Sequence, residues 1–229
     1  MQRPHVHINV AATVDGKIDT FQRRGAAISS RRDKERVDRL RADSDAVMIG
    51  GRTLHDEAPK LTVRSEALRA ERKALGLPEN PAKVAVASRL ALQPESEFLT
   101  AGPARILLFT TAQTPADEIA RLRSAGAEVF VQTGSRVDLS QVLGALKENA
   151  IERLMVEGGS TLNFEMLNLG FADELTIFIA PVVFGGESAP TLAGGFGLSD
   201  SAAVPLQVVG VEQWDDGGVL LHYRVLRGA

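Results

Sequence analysis

Short runs of branched apolar residues recur along this chain, and between them lie stretches whose apolar positions repeat every three or four residues. The runs at 5–11, 45–49, 83–87, 105–109, 128–131, 153–156 and 174–180 have the length and content of buried strands. The intervening periods predict helices over 31–42, with Ser30 as cap; over 115–124, with Thr114 as cap and Pro115 in the first turn; and over 139–147, after Asp138. Strand and helix alternating in this way predict an α/β fold, a mixed but mostly parallel sheet with helices on both faces. The ending differs. Residues 206–214 and 219–226 are strand-like and flank Asp215-Asp216-Gly217-Gly218, the pattern of an antiparallel hairpin. Residues 66–81 are polar and helix-prone without an apolar stripe and are expected to be a surface excursion. The Pro/Gly-rich stretch 181–197 is embedded between strands, so it is no linker, and residues 1–229 are expected to form a single domain.

Most of the chemical information lies in Arg153 to Leu162. A buried strand ends on Glu157, and Gly158-Gly159-Ser160-Thr161 then opens a helical pattern running over 162–169. Backbone amides at such a turn point at an incoming anion, and the helix dipole favours negative charge there, so a pyrophosphate suits the site. Strand-to-helix turns also use glycine for packing alone. The carboxylate at the carboxyl end of the strand favours the ligand reading, because ligands of open α/β sheets collect at that edge.

Composition narrows the partners. The 229 residues are 44% hydrophobic, enough for a full core, and 26 basic against 29 acidic side chains leave a net charge of -3. No global field therefore draws in nucleic acid or an anionic membrane, and any anion site is local. The absence of cysteine excludes disulfides, thiolate nucleophiles and Cys-based zinc sites and fits a reducing compartment, with the cytoplasm as the expected location. The N-terminus runs into a strand without an apolar signal core, and no segment has the length of a membrane span.

Several other groups stand where chemistry is expected. Asp15-Gly16 makes a tight turn after the first strand and displays Lys17. The charged helix Arg31 to Arg41 is expected to present mostly a solvated face, with Val37 and Leu40 on its buried side and Arg41 beside them. After the second strand come Thr53 and Glu57, able to bind ribose or amide groups, then Leu61 and Arg64, whose guanidinium suits a phosphate. Ser88 and Arg89 end a further strand and suit a ribose 2′-phosphate. His5 and His7 share one strand face, but two donors without further ligands read as structural, and no metal is expected. The aromatic residues are dispersed, so there is no stacking platform for nucleic acid.

Taken together, Val14-Asp15-Gly16-Lys17-Ile18, Ile28-Ser29-Ser30, Leu40-Arg41-Ala42-Asp43-Ser44-Asp45-Ala46, Gly51-Arg52-Thr53-Leu54, Pro59 to Arg64, Val156 to Leu162 and Ala180 to Gly186 have the order and spacing of one group. The chain resembles the pyrimidine reductases of riboflavin biosynthesis, whose fold is like that of dihydrofolate reductase, over nearly its whole length. That resemblance implies NADPH-dependent reduction of the ribosyl group of a 5-amino-6-ribosylamino-pyrimidine phosphate to a ribityl chain, by a homodimer. Without cysteine the chain lacks the zinc deaminase half of the bifunctional bacterial enzymes, and it is similar instead to the stand-alone archaeal and fungal type, which reduces the 2,5-diamino compound. Position by position, the resemblance implies that Thr53, Glu57, Gly158, Gly159, Ser160, Thr161 and Leu162 contact NADPH, with Ser88 and Arg89 near its adenosine phosphate. It implies that Arg41, Leu61 and Arg64 hold the substrate phosphate end and that Lys17 and Glu157 are catalytic, facing the ribose and pyrimidine.

The chain departs from the family pattern at Ala12-Thr13-Val14, where Met-Ser-Leu is common, at Glu57-Ala58, where Asp-Asp is usual, and at Ala27, where many bacterial members carry tryptophan. Alternatives remain open: the deaminated pyrimidine as substrate, a dihydropteridine reductase of folate or methanopterin metabolism on the same fold, and a dimeric nucleotide-binding scaffold without activity.

Overall fold

The computed structural model describes residues 2–226, and nine strands of a mixed, mostly parallel sheet run through them. By contact the chain divides into two compact units, one made chiefly of Val37–Met155 and the other joining His5–Arg36 to the residues from 156 onward.

In the first unit, β2 (Ala46–Gly50), β3 (Ala82–Val86), β4 (Ile106–Thr111), β5 (Glu128–Gln132) and β6 (Arg153–Val156) take the order β5-β4-β3-β2-β6. The β2–β3, β3–β4 and β4–β5 pairs are parallel. Strand β4 is buried at every position, and β2 and β3 at all but their last. Runs buried at successive positions, as these are, require cover on both faces. Val47, Ile49, Ala85, Leu108, Leu54, Leu61, Phe98 and Leu122 share one core cluster, on which Val37 and Leu40 pack. Those two residues lie on α1 (Arg31–Asp43), on the side that the periodicity predicts.

In the second unit the order is β1-β7-β9-β8, with β1 (His5–Thr13), β7 (Glu174–Ala180), β8 (Leu206–Gln213) and β9 (Val219–Val225). Strands β1 and β7 run parallel, while β9 runs antiparallel to both β7 and β8. The expected C-terminal hairpin is therefore present. Its own core holds Ile28, Phe178, Ala180, Trp214 and Leu220.

The remaining helices are α2 (Gly51–Asp56), α3 (Glu66–Ala74), α4 (Glu97–Thr100), α5 (Ala116–Ser124), α6 (Leu139–Glu148) and α7 (Ser160–Asn168). Ser30 and Asp138 cap α1 and α6 as expected: the Ser30 hydroxyl accepts from the Asp33 amide at 3.2 Å, and the Asp138 carboxylate accepts from Ser140 and Gln141. Thr114 does not cap α5; Pro115 stands at that position. The Thr114 hydroxyl instead accepts from the Leu90 amide at 2.9 Å and pairs with the Thr110 hydroxyl at 2.6 Å, because buried polar atoms take partners wherever the fold supplies them.

Two expectations about charge are corrected. The excursion at 66–81 contains α3, which buries Leu68 and also Arg72, 3% exposed. Arg72 has a carbonyl-lined slot, donating to the carbonyls of Pro78, Ala42 and Ser44, so a guanidinium fills a buried position that an apolar side chain would ordinarily take. On α1, Asp33 and Asp38 are buried rather than solvated. Arg36 pairs with the first at 2.7 Å, and the second accepts backbone amides from the loop that follows α2.

Candidate active site

In the second unit, two turns meet on one irregular segment. After β1, the Thr13 hydroxyl donates to Asp15 at 2.6 Å and accepts from the Lys17 amide at 2.9 Å. The Asp15 carboxylate then accepts the amides of Phe184 and Gly185 at 3.2 and 2.7 Å. The Thr13 hydroxyl bond, aided by those amides, holds the Asp15 carboxyl below its ordinary value. Asp15 thus ties the Asp-Gly turn to the Pro/Gly-rich stretch, and Lys17 forms a β-bridge with Thr191 while its Nζ lies 3.4 Å from the Ala189 carbonyl.

The same stretch holds the start of α7. The Ser160 hydroxyl donates to the Thr191 carbonyl at 2.6 Å, the Gly194 amide donates to the Ser160 carbonyl at 3.1 Å, and the Asn163 amide nitrogen donates to the Leu192 carbonyl at 2.9 Å. Residues 189–194 therefore form a strap that positions Lys17 and the α7 turn together. Glu157, half-buried, stands between β6 and that turn. The helix begins at Ser160, two residues earlier than its apolar period indicates, with Gly159 as N-cap. A glycine cap supplies no side-chain acceptor for the amides of Ser160, Thr161 and Leu162, which leaves them to an outside anion. Gly158 has φ +99°, backbone that an L side chain rarely adopts. The Leu162 side chain is buried, so only its backbone faces the turn.

Asn163 is a residue that sequence reasoning missed. It is fully buried, and its Oδ1 accepts no hydrogen bond from the described residues. A Cβ built on Gly158 would stand 3.8 Å from that oxygen. An unpaired buried amide oxygen costs free energy, and here it lies directly behind the Gly158 turn. The available signal was an amide between two apolar residues, Leu162 and Phe164, at the start of the helix.

In the first unit the predicted residues fall into two groups. Thr53 lies on α2, a short helix that the periodicity did not predict. Its first residue, Gly51, packs so closely on β3 that a Cβ there would come within 2.8 Å of the Ala87 Cβ. His55 of α2 has its ring nitrogens 3.1 and 3.0 Å from the carbonyls of Ala91 and Arg89. The Thr111 hydroxyl donates to the Ser88 carbonyl at 2.7 Å. Thr53, Ser88 and Arg89 are thereby brought together at the carboxyl ends of the adjacent parallel strands β2 and β3. Arg89 is exposed, and its backbone is held by others. Glu57 follows α2, exposed, its amide donating to the Thr53 carbonyl at 3.1 Å.

Arg41, Leu61 and Arg64 form the second group. Arg41 does turn inward from the end of α1, donating to the Thr62 carbonyl at 3.0 Å. Asp38, 5% exposed, accepts the amides of Arg64 and Ser65 at 2.7 and 2.8 Å, and Arg69 donates to the carbonyls of Val63 and Arg64. The loop is extended but fixed, with Ala58 and Leu61 at φ +42° and +50°, an uncommon conformation for residues with side chains. Leu61 is 1% exposed and belongs to the core, so it can offer a ligand only its backbone.

Over residues 4–220 the chain matches the family described as the RibD C-terminal domain. The 2,5-diamino-6-ribosylamino-4(3H)-pyrimidinone 5′-phosphate reductase of Archaeoglobus fulgidus is 39% identical over 193 residues, covering 84% of this chain and 87% of the relative. The protein of the same name from Methanothermobacter thermautotrophicus is 39% identical over 201 residues, covering 87% and 88%. Among solved structures, a pyrimidine reductase-like protein from Corynebacterium diphtheriae superimposes with a TM-score of 0.82 at 21% identity, covering 98% of this chain and 93% of its own, a likeness of fold.

Proposed function

This chain belongs to the RibD C-terminal domain family, and on that premise we propose that it is an oxidoreductase that uses NADPH to reduce the ribosyl group of 2,5-diamino-6-ribosylamino-4(3H)-pyrimidinone 5′-phosphate to a ribityl group. The observation that carries the reading is the strap at 189–194, which fixes Lys17 and the uncapped start of α7 on one segment.

The residues present fit a dinucleotide. The amides of Ser160, Thr161 and Leu162 suit a diphosphate. When bound, the nicotinamide supplies hydride. Thr53 and Glu57 would meet the cofactor's sugar and amide groups, with Ser88 and Arg89 beside its 2′-phosphate. Arg41 and Arg64 would hold the substrate phosphate, with the backbone of Leu61 completing that end.

On the substrate side, opening the ribose ring leaves a C1′=N imine. Hydride at C1′ and a proton at the nitrogen give the secondary amine of the ribityl product. Lys17, whose backbone is held by Thr13 and by the bridge to Thr191, and Glu157, which directly precedes the glycines of the α7 turn, are the groups assigned to that proton. Their further contribution is position.

We assign a homodimer to the working enzyme. β8, at the end of the strand order, leaves Leu206, Val208, Val209 and Val211 exposed, an apolar strand that a second copy would cover. Among the described residues no helix is long and apolar enough to cross a membrane, and the cysteine-free chain fits a cytoplasmic, NADPH-supplied reaction.

The test follows NADPH absorbance with the diamino compound, its deaminated analogue and dihydrofolate in parallel. Oxidation fastest with the diamino phosphate is expected. Preference for dihydrofolate, or no oxidation with any of the three, overturns the reading.

A further inference from the structure

Away from the strap, the sheet of the second unit gathers three imidazoles and one carboxylate on a single face. His5 and His7 alternate on β1, His7 is in register with Glu174 of β7, and Thr176, two residues further on, is in register with His222 of β9. The Glu174 carboxylate lies between two rings, with Oε1 3.3 Å from His5 Nε2 and Oε2 3.0 Å from His222 Nε2. His7 Nε2 is 2.7 Å from the Thr176 hydroxyl, and the rings of His7 and His222 stack at 6.0 Å. One donor atom from each of His7, Glu174 and His222 falls within 4.8 Å of the others.

We propose that His7, His222 and Glu174 form a binding site for a divalent transition-metal ion of the Zn2+ class, with His5 as a further donor. Imidazole and carboxylate are the ligands such ions take, at bond lengths of about 2.0–2.2 Å. The donor atoms must therefore draw in by an ångström or so. The side chains of His5, His222 and Glu174 are part-exposed, which leaves them room to rotate. Two neutral imidazoles and one carboxylate leave a divalent ion with one positive charge, as in other sites with two histidines and one carboxylate. Gly210 of β8 is in register with His222, and a residue without a side chain leaves that approach open.

The position in the sheet sets the role. His7 and Glu174 lie near the amino ends of the parallel pair β1 and β7, whereas Lys17 follows the carboxyl end of β1. At about 3.3 Å per residue, six residues of strand separate His7 from Thr13 by roughly 20 Å. An ion here is too far from the strap to take part in the reaction. It would instead cross-link β1, β7 and β9 and stabilise the folded form.

The experiment uses untagged, chelator-treated protein titrated with Zn2+ by calorimetry, and with Co2+ for its visible absorption bands, with thermal unfolding in parallel. One equivalent is expected to bind, raise Tm and leave the reductase rate unchanged. His222→Gln and Glu174→Gln are each expected to weaken binding by more than the roughly 10- to 100-fold typical of losing a hydrogen bond that supports a ligand. His5→Gln, at a more exposed position, is expected to bind more weakly than the parent and serves if either of the other two fails to fold. No binding by the parent protein, or equal binding by the parent and every folded variant, overturns the proposal.

Discussion

Replacing Arg64 by alanine isolates the substrate phosphate from everything else the enzyme binds. The loop carrying Arg64 is held through its backbone: Asp38 accepts the amides of Arg64 and Ser65, and Arg69 donates to the carbonyls of Val63 and Arg64, each of the latter at 2.8 Å. Truncating the side chain keeps these bonds and removes a long, part-exposed ion pair to Asp38 at 3.8 Å, so the thermal midpoint should fall by no more than about 1 kcal/mol of stability. Hydrogen bonds between a guanidinium and a phosphate contribute about 1.5–3 kcal/mol. With the side chain 56% exposed, solvent screening places the effect near the lower figure, roughly a tenfold loss in kcat/KM for the phosphorylated pyrimidine. The assay measures KM for NADPH and for the substrate with and without its 5′-phosphate, in parent and variant, as a double-mutant cycle. The phosphorylated substrate should lose alone. An equal loss with the dephosphorylated substrate, or an equal rise in KM for NADPH, would refute the phosphate role.

Three more predictions follow from other parts of the structure. Arg89→Ala should lower the preference for NADPH over NADH, read as the ratio of their kcat/KM values; an unchanged ratio removes Arg89 from the 2′-phosphate. Gly158→Ala should destabilise the protein by roughly 1–3 kcal/mol through its φ of +99° rather than through a clash, since the new Cβ would sit 3.7 Å from Asn163, and the KM for NADPH should rise with it; a parental melting curve would contradict this. Lys83, 0% exposed, donates to the carbonyls of Phe98 and Ala101 at 2.8 and 2.7 Å, and burial pushes it from 10.5 down to about 8. The folded chain gives up this proton before the unfolded chain does, so parent stability should rise relative to Lys83→Met as pH climbs from about 8 to 10.5, by on the order of 3 kcal/mol. Denaturant melts of both proteins across that window check it, and a pH-independent difference would dismiss the titration.

The sequence by itself determined the alternation of strand and helix, the final hairpin and the caps at Ser30 and Asp138, since each depends on residues within a few positions of one another. It also located the α7 turn, where a strand, a carboxylate and two glycines are contiguous. Helices α2 and α4 escaped it: each is a turn or two long, too short for a periodicity to register, and Gly51 opens α2 only because β3 lies against it. What the tertiary structure alone decided is where polar groups find their partners. Arg72 reads as a surface charge until the carbonyls of Ala42, Ser44 and Pro78 surround it, and Asp38 reads as solvated until the loop at Arg64 docks on it. The His5–His7 pair was two donors on one strand, and Glu174 and His222 joined it from residues far along the chain. Hydrophobic pattern is a local property set by backbone geometry, whereas a buried charge or a set of ligands is defined by distances between segments remote in sequence, and only strand order and register fix those.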